Sequence, residues 1–215
     1  MARRDVETCD QAIGRRDIAA LVIGASAGGV EALLLLAECF GAATPFPLVA
    51  VLHLPAEGPN LLPHLLTDSS RLAVKEGEPW ESPRPGTLYL APPGYHLSIE
   101  SDGSFSLSTE EPVHFSRPSI DVLFESAAAV YRERLIAVLL TGANADGADG
   151  LLRVRDSGGI ALVQDPESAK SPEMPQAALK LLDPDCVLSL SDLATVLRRR
   201  WGADTSSHQP RRRGE

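Results

Sequence analysis

Residues 18–29, Ile-Ala-Ala-Leu-Val-Ile-Gly-Ala-Ser-Ala-Gly-Gly, decide the fold. Ile18 to Ala25 is a short apolar run that stops at a glycine-rich turn, the pattern of a strand buried on both faces. Gly28 to Phe40 (GGVEALLLLAECF) then has the composition and length of a helix. Two further runs have the same texture, Pro47 to Leu54 (PLVAVLHL) and Leu135 to Thr141 (LIAVLLT).

Weaker segments fill the space between them. Leu61 to Leu66, Ser119 to Tyr131, Gly147 to Ser157 and Pro172 to Leu182 read as helices, with Pro118 opening the second. Leu72 to Lys75, Gly159 to Gln164 and Cys186 to Leu190 read as strands, and Ser191 as the cap of a last helix reaching about Trp201. From Pro79 to Pro93 there are five prolines. Leu88 to Leu90, Leu97 to Ile99 and Phe105 to Leu107 look like short strands there, read as an antiparallel insertion or sheet edge. The expected fold is α/β: a mostly parallel, doubly wound sheet with helices on both faces and a small antiparallel β insertion. The expected boundaries are a disordered N-terminal segment 1–16, one domain over 17–201 and a disordered basic tail 202–215.

The chain has 215 residues, 44% of them hydrophobic and 23% charged, with a net charge of −9, which is ordinary globular composition. Residues 17–197 carry 24 acidic and 10 basic side chains, so the body is a poor partner for nucleic acid. The basic ends (Arg3-Arg4, Arg15-Arg16, Arg198 to Arg200, Arg211 to Arg213) suit solvated tails. No apolar run is long enough to span a bilayer, so an integral membrane protein is not expected. Cys9, Cys39 and Cys186 fit no zinc spacing, and the N-terminus lacks the apolar stretch of a secretory signal. Free thiols in a reducing cytoplasm are therefore expected.

The turn Gly24-Ala25-Ser26-Ala27-Gly28-Gly29 fails as a dinucleotide loop, because Ser26 holds the second glycine position. It fails as a P-loop because Val30, not lysine, follows Gly29. It fits G-x-S-x-G, which exposes a serine nucleophile on a strand-to-helix turn above unpaired helix amides. Ser26 needs a base. His53 ends the second strand and so emerges on the same rim, whereas His208 lies in the tail, His64 sits among leucines, and His96 and His114 suit surface or cleft positions. Asp146 follows the third strong strand on that rim and could orient the imidazole. Each residue alone also suits a structural role: Ser26 a helix cap, His53 a strand-end histidine, Asp146 a helix N-cap. The convergence of all three on one sheet edge carries the functional reading. Their chain order, Ser-His-Asp, is not that of the α/β-hydrolases.

The stretches VIGASAGGVEAL (22–33), HLP (53–55), YLAPPGYHL (89–97), RPSIDVLFESAA (117–128), LLTGANADGADGL (139–151) and DPESAKSPEMPQAAL (165–179) resemble the catalytic domain of the chemotaxis protein-glutamate methylesterases, CheB-type, from about Asp17 to Arg200. The resemblance implies a cytoplasmic signal-transduction hydrolase that cleaves glutamate methyl esters on a protein, with glutamine deamidation as a second activity, and needs no metal or organic cofactor. It places the nucleophile on Ser26, the base on His53 and the aspartate on Asp146. Backbone amides at Ala27 and Ala143 become oxyanion candidates, and Met174 and Pro175 cleft candidates. The implied partner is a methylated protein, such as the cytoplasmic helices of a chemoreceptor or sensor kinase. Two features depart from the best-known members. About 16 residues precede the first strand, so a stand-alone form without a receiver domain is expected, and the element often written HRPS begins here with Ser116. The alternatives are a non-catalytic scaffold binding a receptor or sensor, and a generic small-ester hydrolase.

Overall fold

The computed structural model describes residues 5–14, 16–54 and 60–202. Its centre is a sheet of seven strands: β1 (Ala20–Ala25), β2 (Leu48–Leu52), β3 (Ala73–Glu76), β4 (Thr87–Leu90), β7 (Leu135–Leu139), β8 (Ile160–Gln164) and β9 (Cys186–Leu188). They lie in the order β3-β4-β2-β1-β7-β8-β9, and every neighbouring pair is parallel. The first half of the chain builds outward from β1 through β2. The second half returns to lay β7 against the other side of β1. A crevice therefore opens at the carboxyl ends of β1, β2 and β7, where the direction of winding reverses.

Alternation along β1 divides the core. Leu21, Ile23 and Ala25 join the layer built by α1 (Val6–Ile13), α2 (Gly29–Ala37), α3 (Leu62–Ser69) and α7 (Leu190–Trp201). Ala20 and Val22 join the opposite layer, built by α4 (Ile120–Tyr131), α5 (Ala148–Asp156) and α6 (Glu173–Leu181). All six β1 residues are buried, which is why the strand reads as one apolar run and not as an alternating pattern. A hairpin of β5 (His96–Ile99) and β6 (Phe105–Ser108) adds the small antiparallel sheet and packs on α4.

Four expectations need correction. Residues 6–13 form α1, capped by Asp5 through Thr8 N–H, with Cys9 and Ile13 buried, so this part of the segment expected to be disordered is a docked helix. Of the three strands expected in the insertion, β5 and β6 form the antiparallel pair, whereas β4 is a parallel strand between β2 and β3. The last helix is capped by Ser189, which accepts from Asp192 N–H, not by Ser191. The thiols are not all free. Cys9 on α1 and Cys186 on β9, separated by 177 residues, form a disulfide with Cα atoms 5.5 Å apart. Docking of α1 brings them together, and the odd cysteine count concealed the pair. Only Cys39 remains a free thiol; burial pushes its pKa up. The cysteine argument for a reducing compartment therefore falls. Of the basic tail expected over 202–215, Gly202 is the C-cap of α7 and residues 203–215 lie outside the described residues.

Candidate active site

The crevice is built from three strand ends. His53 N–H donates to Ala25 O at 3.1 Å, and Ser26 N–H donates to Thr141 O at 2.9 Å, so adjacent strands deliver the residues side by side. Ser26 does not cap α2. That position belongs to Gly28, in the left-handed region at φ +79°, and no side chain caps the helix there. Among the described residues the Ser26 hydroxyl has no hydrogen-bond partner, and the side chain is half-buried. The turn beneath it is braced: Thr141 Oγ1 donates to Ala27 O at 2.8 Å, and Thr141 N–H donates to the buried Gln164 Oε1 at 2.9 Å.

His53 Nε2 lies 2.8 Å from Asp146 Oδ2, with the imidazole 13% exposed and the carboxylate fully buried. Asp146 does not cap its own helix either. It caps α4, accepting from Ile120 N–H (2.7 Å), Asp121 N–H (3.0 Å) and the Ser119 hydroxyl (2.8 Å). Burial alone would raise its carboxyl; the His53 bond and these three donors more than offset it, holding the pKa below the ordinary 3.8. The approach of α4 depends on Gly24, where any Cβ would collide with the Ile120 side chain. Because Asp146 only accepts, Nε2 carries the ring proton and Nδ1 is the basic nitrogen. That nitrogen faces Ser116 Oγ at 3.3 Å.

The CheB methylesterase family model matches residues 21–197 of this chain. The chain belongs to the CheB methylesterase family. A Leptospira interrogans protein provisionally named protein-glutamate methylesterase/protein-glutamine glutaminase is 44% identical over 84% of this chain and 93% of its own length. The protein-glutamate methylesterase/protein-glutamine glutaminase of Clostridium acetobutylicum is 32% identical over 85% of this chain and 53% of its own length. The crystal structure of the Thermotoga maritima CheB methylesterase catalytic domain has a TM-score of 0.79 at 31% identity, covering 86% of this chain and 100% of that one.

The other CheB-type candidates are spread around the cleft. Ala27 and Ala143 are exposed, and the N–H of each lacks a protein partner among the described residues, as an oxyanion donor requires. Met174 is buried with its thioether against Gly142. A Cβ on Gly142 would strike it and approach Ser26 Cβ to 3.0 Å, so Met174 forms the floor beside the serine. Pro175 is buried on the first turn of α6, a packing position.

Several polar groups of the site carry no motif of their own. Ser119, Ser116 and Asn144 all touch the His53–Asp146 pair or its partners; only Ser119, a polar residue after Pro118 and before a helical run, had a capping signal. His96, expected at the surface or in the cleft, is 2% exposed. Its Nε2–H donates to Glu111 O and its Nδ1 accepts from Ser119 N–H, so it is a bracing residue. Asp121 is buried, and burial, with the nearby Asp146 charge adding to it, pushes its pKa up to about 7 despite a bond from Gly150 N–H. His114, Asp121 and Asp149 each bring one possible metal-ligand atom within 4.8 Å of the others. That grouping contains none of Ser26, His53 and Asp146.

Proposed function

We propose that Ser26, His53 and Asp146 are the nucleophile, base and orienting acid of a protein-glutamate methylesterase. The observation that carries this is the 2.8 Å bond from His53 Nε2 to a fully buried carboxylate, which turns Nδ1 toward the crevice where β1 presents Ser26. His53 Nδ1 takes the Ser26 proton as Oγ attacks the ester carbonyl. The oxyanion forms near the N–H groups of Ala27 and Ala143. The intermediate collapses and methanol leaves with the proton from His53. Water, deprotonated by the same nitrogen, then attacks the acyl-serine, releasing a glutamate carboxylate and restoring the Ser26 hydroxyl. An amide nitrogen leaving in place of methoxide gives the deamidation of glutamine by the same steps.

The substrate class is a methylated protein, and the cytoplasmic helices of a chemoreceptor or sensor kinase fit that class. Among the described residues, no helix is long and apolar enough to cross a membrane. The test is methanol release from methylated receptor preparations. Ser26→Ala should lower turnover at least about a thousandfold while circular dichroism stays native. Full activity in that variant removes Ser26 from the mechanism. Intact mass after a fluorophosphonate should show one adduct on Ser26; its absence supports a scaffold. Faster turnover of nitrophenyl esters than of methylated protein supports a generic esterase.

A further inference from the structure

We propose that Ser116 caps the catalytic base in the resting enzyme, holding His53 Nδ1 until a protein substrate seats on the neighbouring turn and frees that nitrogen for Ser26. The inference rests on the triad reading above and concerns its regulation.

The base nitrogen has one lone pair and so accepts from one donor at a time. Ser116 Oγ occupies it at 3.3 Å, while among the described residues Ser26 Oγ bonds to nothing. Asn144 Nδ2 donates to Ser116 Oγ at 3.2 Å, which leaves the Ser116 proton to be donated. That proton has two acceptors at nearly equal range, His53 Nδ1 and His114 O at 3.4 Å. Rotation about one bond moves it from the first to the second, so the cap comes off by exchanging one long hydrogen bond for another. The neighbouring titratable groups do not compete for Nδ1: Asp146 holds Nε2, the Asp121 carboxylate accepts from Gly150 N–H, and the His114 ring is turned to Asp121 at 3.4 Å.

The segment that carries Ser116 is built to respond to contact. His114 and Phe115 are consecutive non-glycine residues in the left-handed region, at φ +48° and +62°, a conformation that side chains adopt only under constraint. Phe115 is 103% exposed, next to the residue that touches the base. A methylated protein helix entering the crevice meets that ring and shifts the turn. A small ester does not reach it. The cap therefore suppresses attack on small esters more than on protein esters.

The experiment compares wild type, Ser116→Ala and Ser116→Thr on three readouts: inactivation by a fluorophosphonate, nitrophenyl acetate hydrolysis, and methanol release from methylated receptor. Loss of one hydrogen bond predicts that Ser116→Ala is inactivated, and cleaves nitrophenyl acetate, about two- to tenfold faster than wild type. Methanol release should rise by a smaller factor than nitrophenyl acetate hydrolysis, and Ser116→Thr, which keeps the hydroxyl, should return to wild-type rates. Equal or slower inactivation of Ser116→Ala, or a parallel change on small and protein esters, overturns the cap. Failure of the wild type to take up the phosphonate at Ser26 would instead overturn the triad beneath it.

Discussion

On the sheet face covered by α1, α2, α3 and α7, the strands meet Leu33, Leu36, Phe40, Phe46 and Leu66, and Trp201 stacks on Phe40 and meets Phe46 edge-on. On the face covered by α4, α5 and α6, the same strands meet Ala127, Leu123 and Phe124, but the start of α4 brings Ser119 and Asp121, and the turn between β7 and α5 brings Asp146, into the interior with them. The first face gains from apolar burial, with the Cys9–Cys186 disulfide and the Arg200–Asp10 pair at its edge. The second spends part of that gain on two buried carboxylates, one satisfied by four donors and one left with a raised pKa. At Asp146 the His53 bond, the first N–H groups of α4 and the Ser119 hydroxyl outweigh burial, whereas at Asp121 burial and the Asp146 charge outweigh the Gly150 N–H bond. If the contrast is real, substitutions on the α4 face should change catalysis and pH dependence, and those on the α1 face should change stability alone.

The largest effect on catalysis in this contrast belongs to Asp146→Asn. The amide would turn a donor either toward the Ser119 hydroxyl and Asp121 N–H, which bond Oδ1, or toward Ile120 N–H and His53, which bond Oδ2, so donors face each other in either orientation. Turnover of methylated protein should fall about 10²- to 10⁴-fold through loss of the correct tautomer. The stability profile should change as well. The Asp146 pKa is depressed in the folded state, so its stabilisation is present above the ordinary carboxylate value of 3.8 and is lost as pH falls through the lower folded value. Thermal melts at descending pH should therefore show a shallower acid loss in the variant. Activity within tenfold of wild type would break the assignment.

Asp121→Asn should have a smaller catalytic effect, within about tenfold, because the Asp121 backbone N–H that holds Asp146 is retained. Its signature is in stability, with the opposite sign. A folded pKa raised to about 7 gives stabilisation that is complete below the unfolded value near 3.8 and lost as pH rises toward 7. The variant lacks that loss. Its Tm relative to wild type should improve by about 2–5 °C between pH 5 and pH 8. A relative Tm that instead declines over that range would show that His114, 3.4 Å away, ionises the carboxylate.

The same contrast explains what could be read from the residues alone. The strands β1, β2 and β7 are unbroken apolar runs because both sheet faces are covered, and each ends at the crevice; that is why Ser26, His53 and Asp146 could be placed on one rim. The register that sets Ser26 beside His53 follows from parallel pairing of neighbouring strands. The donors to Asp146 were hidden because they come from a helix start 25 to 27 residues away, and Ser116 reaches His53 across 63 positions. No periodicity encodes such contacts. The strand β4, Thr87–Leu90, is four residues long, too short to distinguish a parallel core strand from a hairpin arm. On the other face, α1 is an eight-residue helix with mixed polarity, and its apolar stripe acquires meaning only where Cys9 and Ile13 meet the core.

Breaking the Cys9–Cys186 link should have the smallest catalytic effect and is the sharpest test of the α1 face. The disulfide ties α1 to β9, the sheet edge strand farthest from β1 in its half, and closes most of the chain into one loop. Its contribution should come mainly from limiting the unfolded chain. The native docking has other supports: Cys9 and Ile13 are buried in the core, and Arg200 pairs with Asp10 at 2.6 Å. The Cys9→Ser, Cys186→Ser double variant should therefore keep its fold and lose roughly 5–15 °C in Tm. Methanol release below that melting range should stay within about twofold, because no group on α1 contacts Ser26, His53 or Asp146 among the described residues. A large fall in kcat without loss of structure would mean that strain passes from the edge strand through β8 and β7 to the crevice, and the two faces could not then be treated as separate.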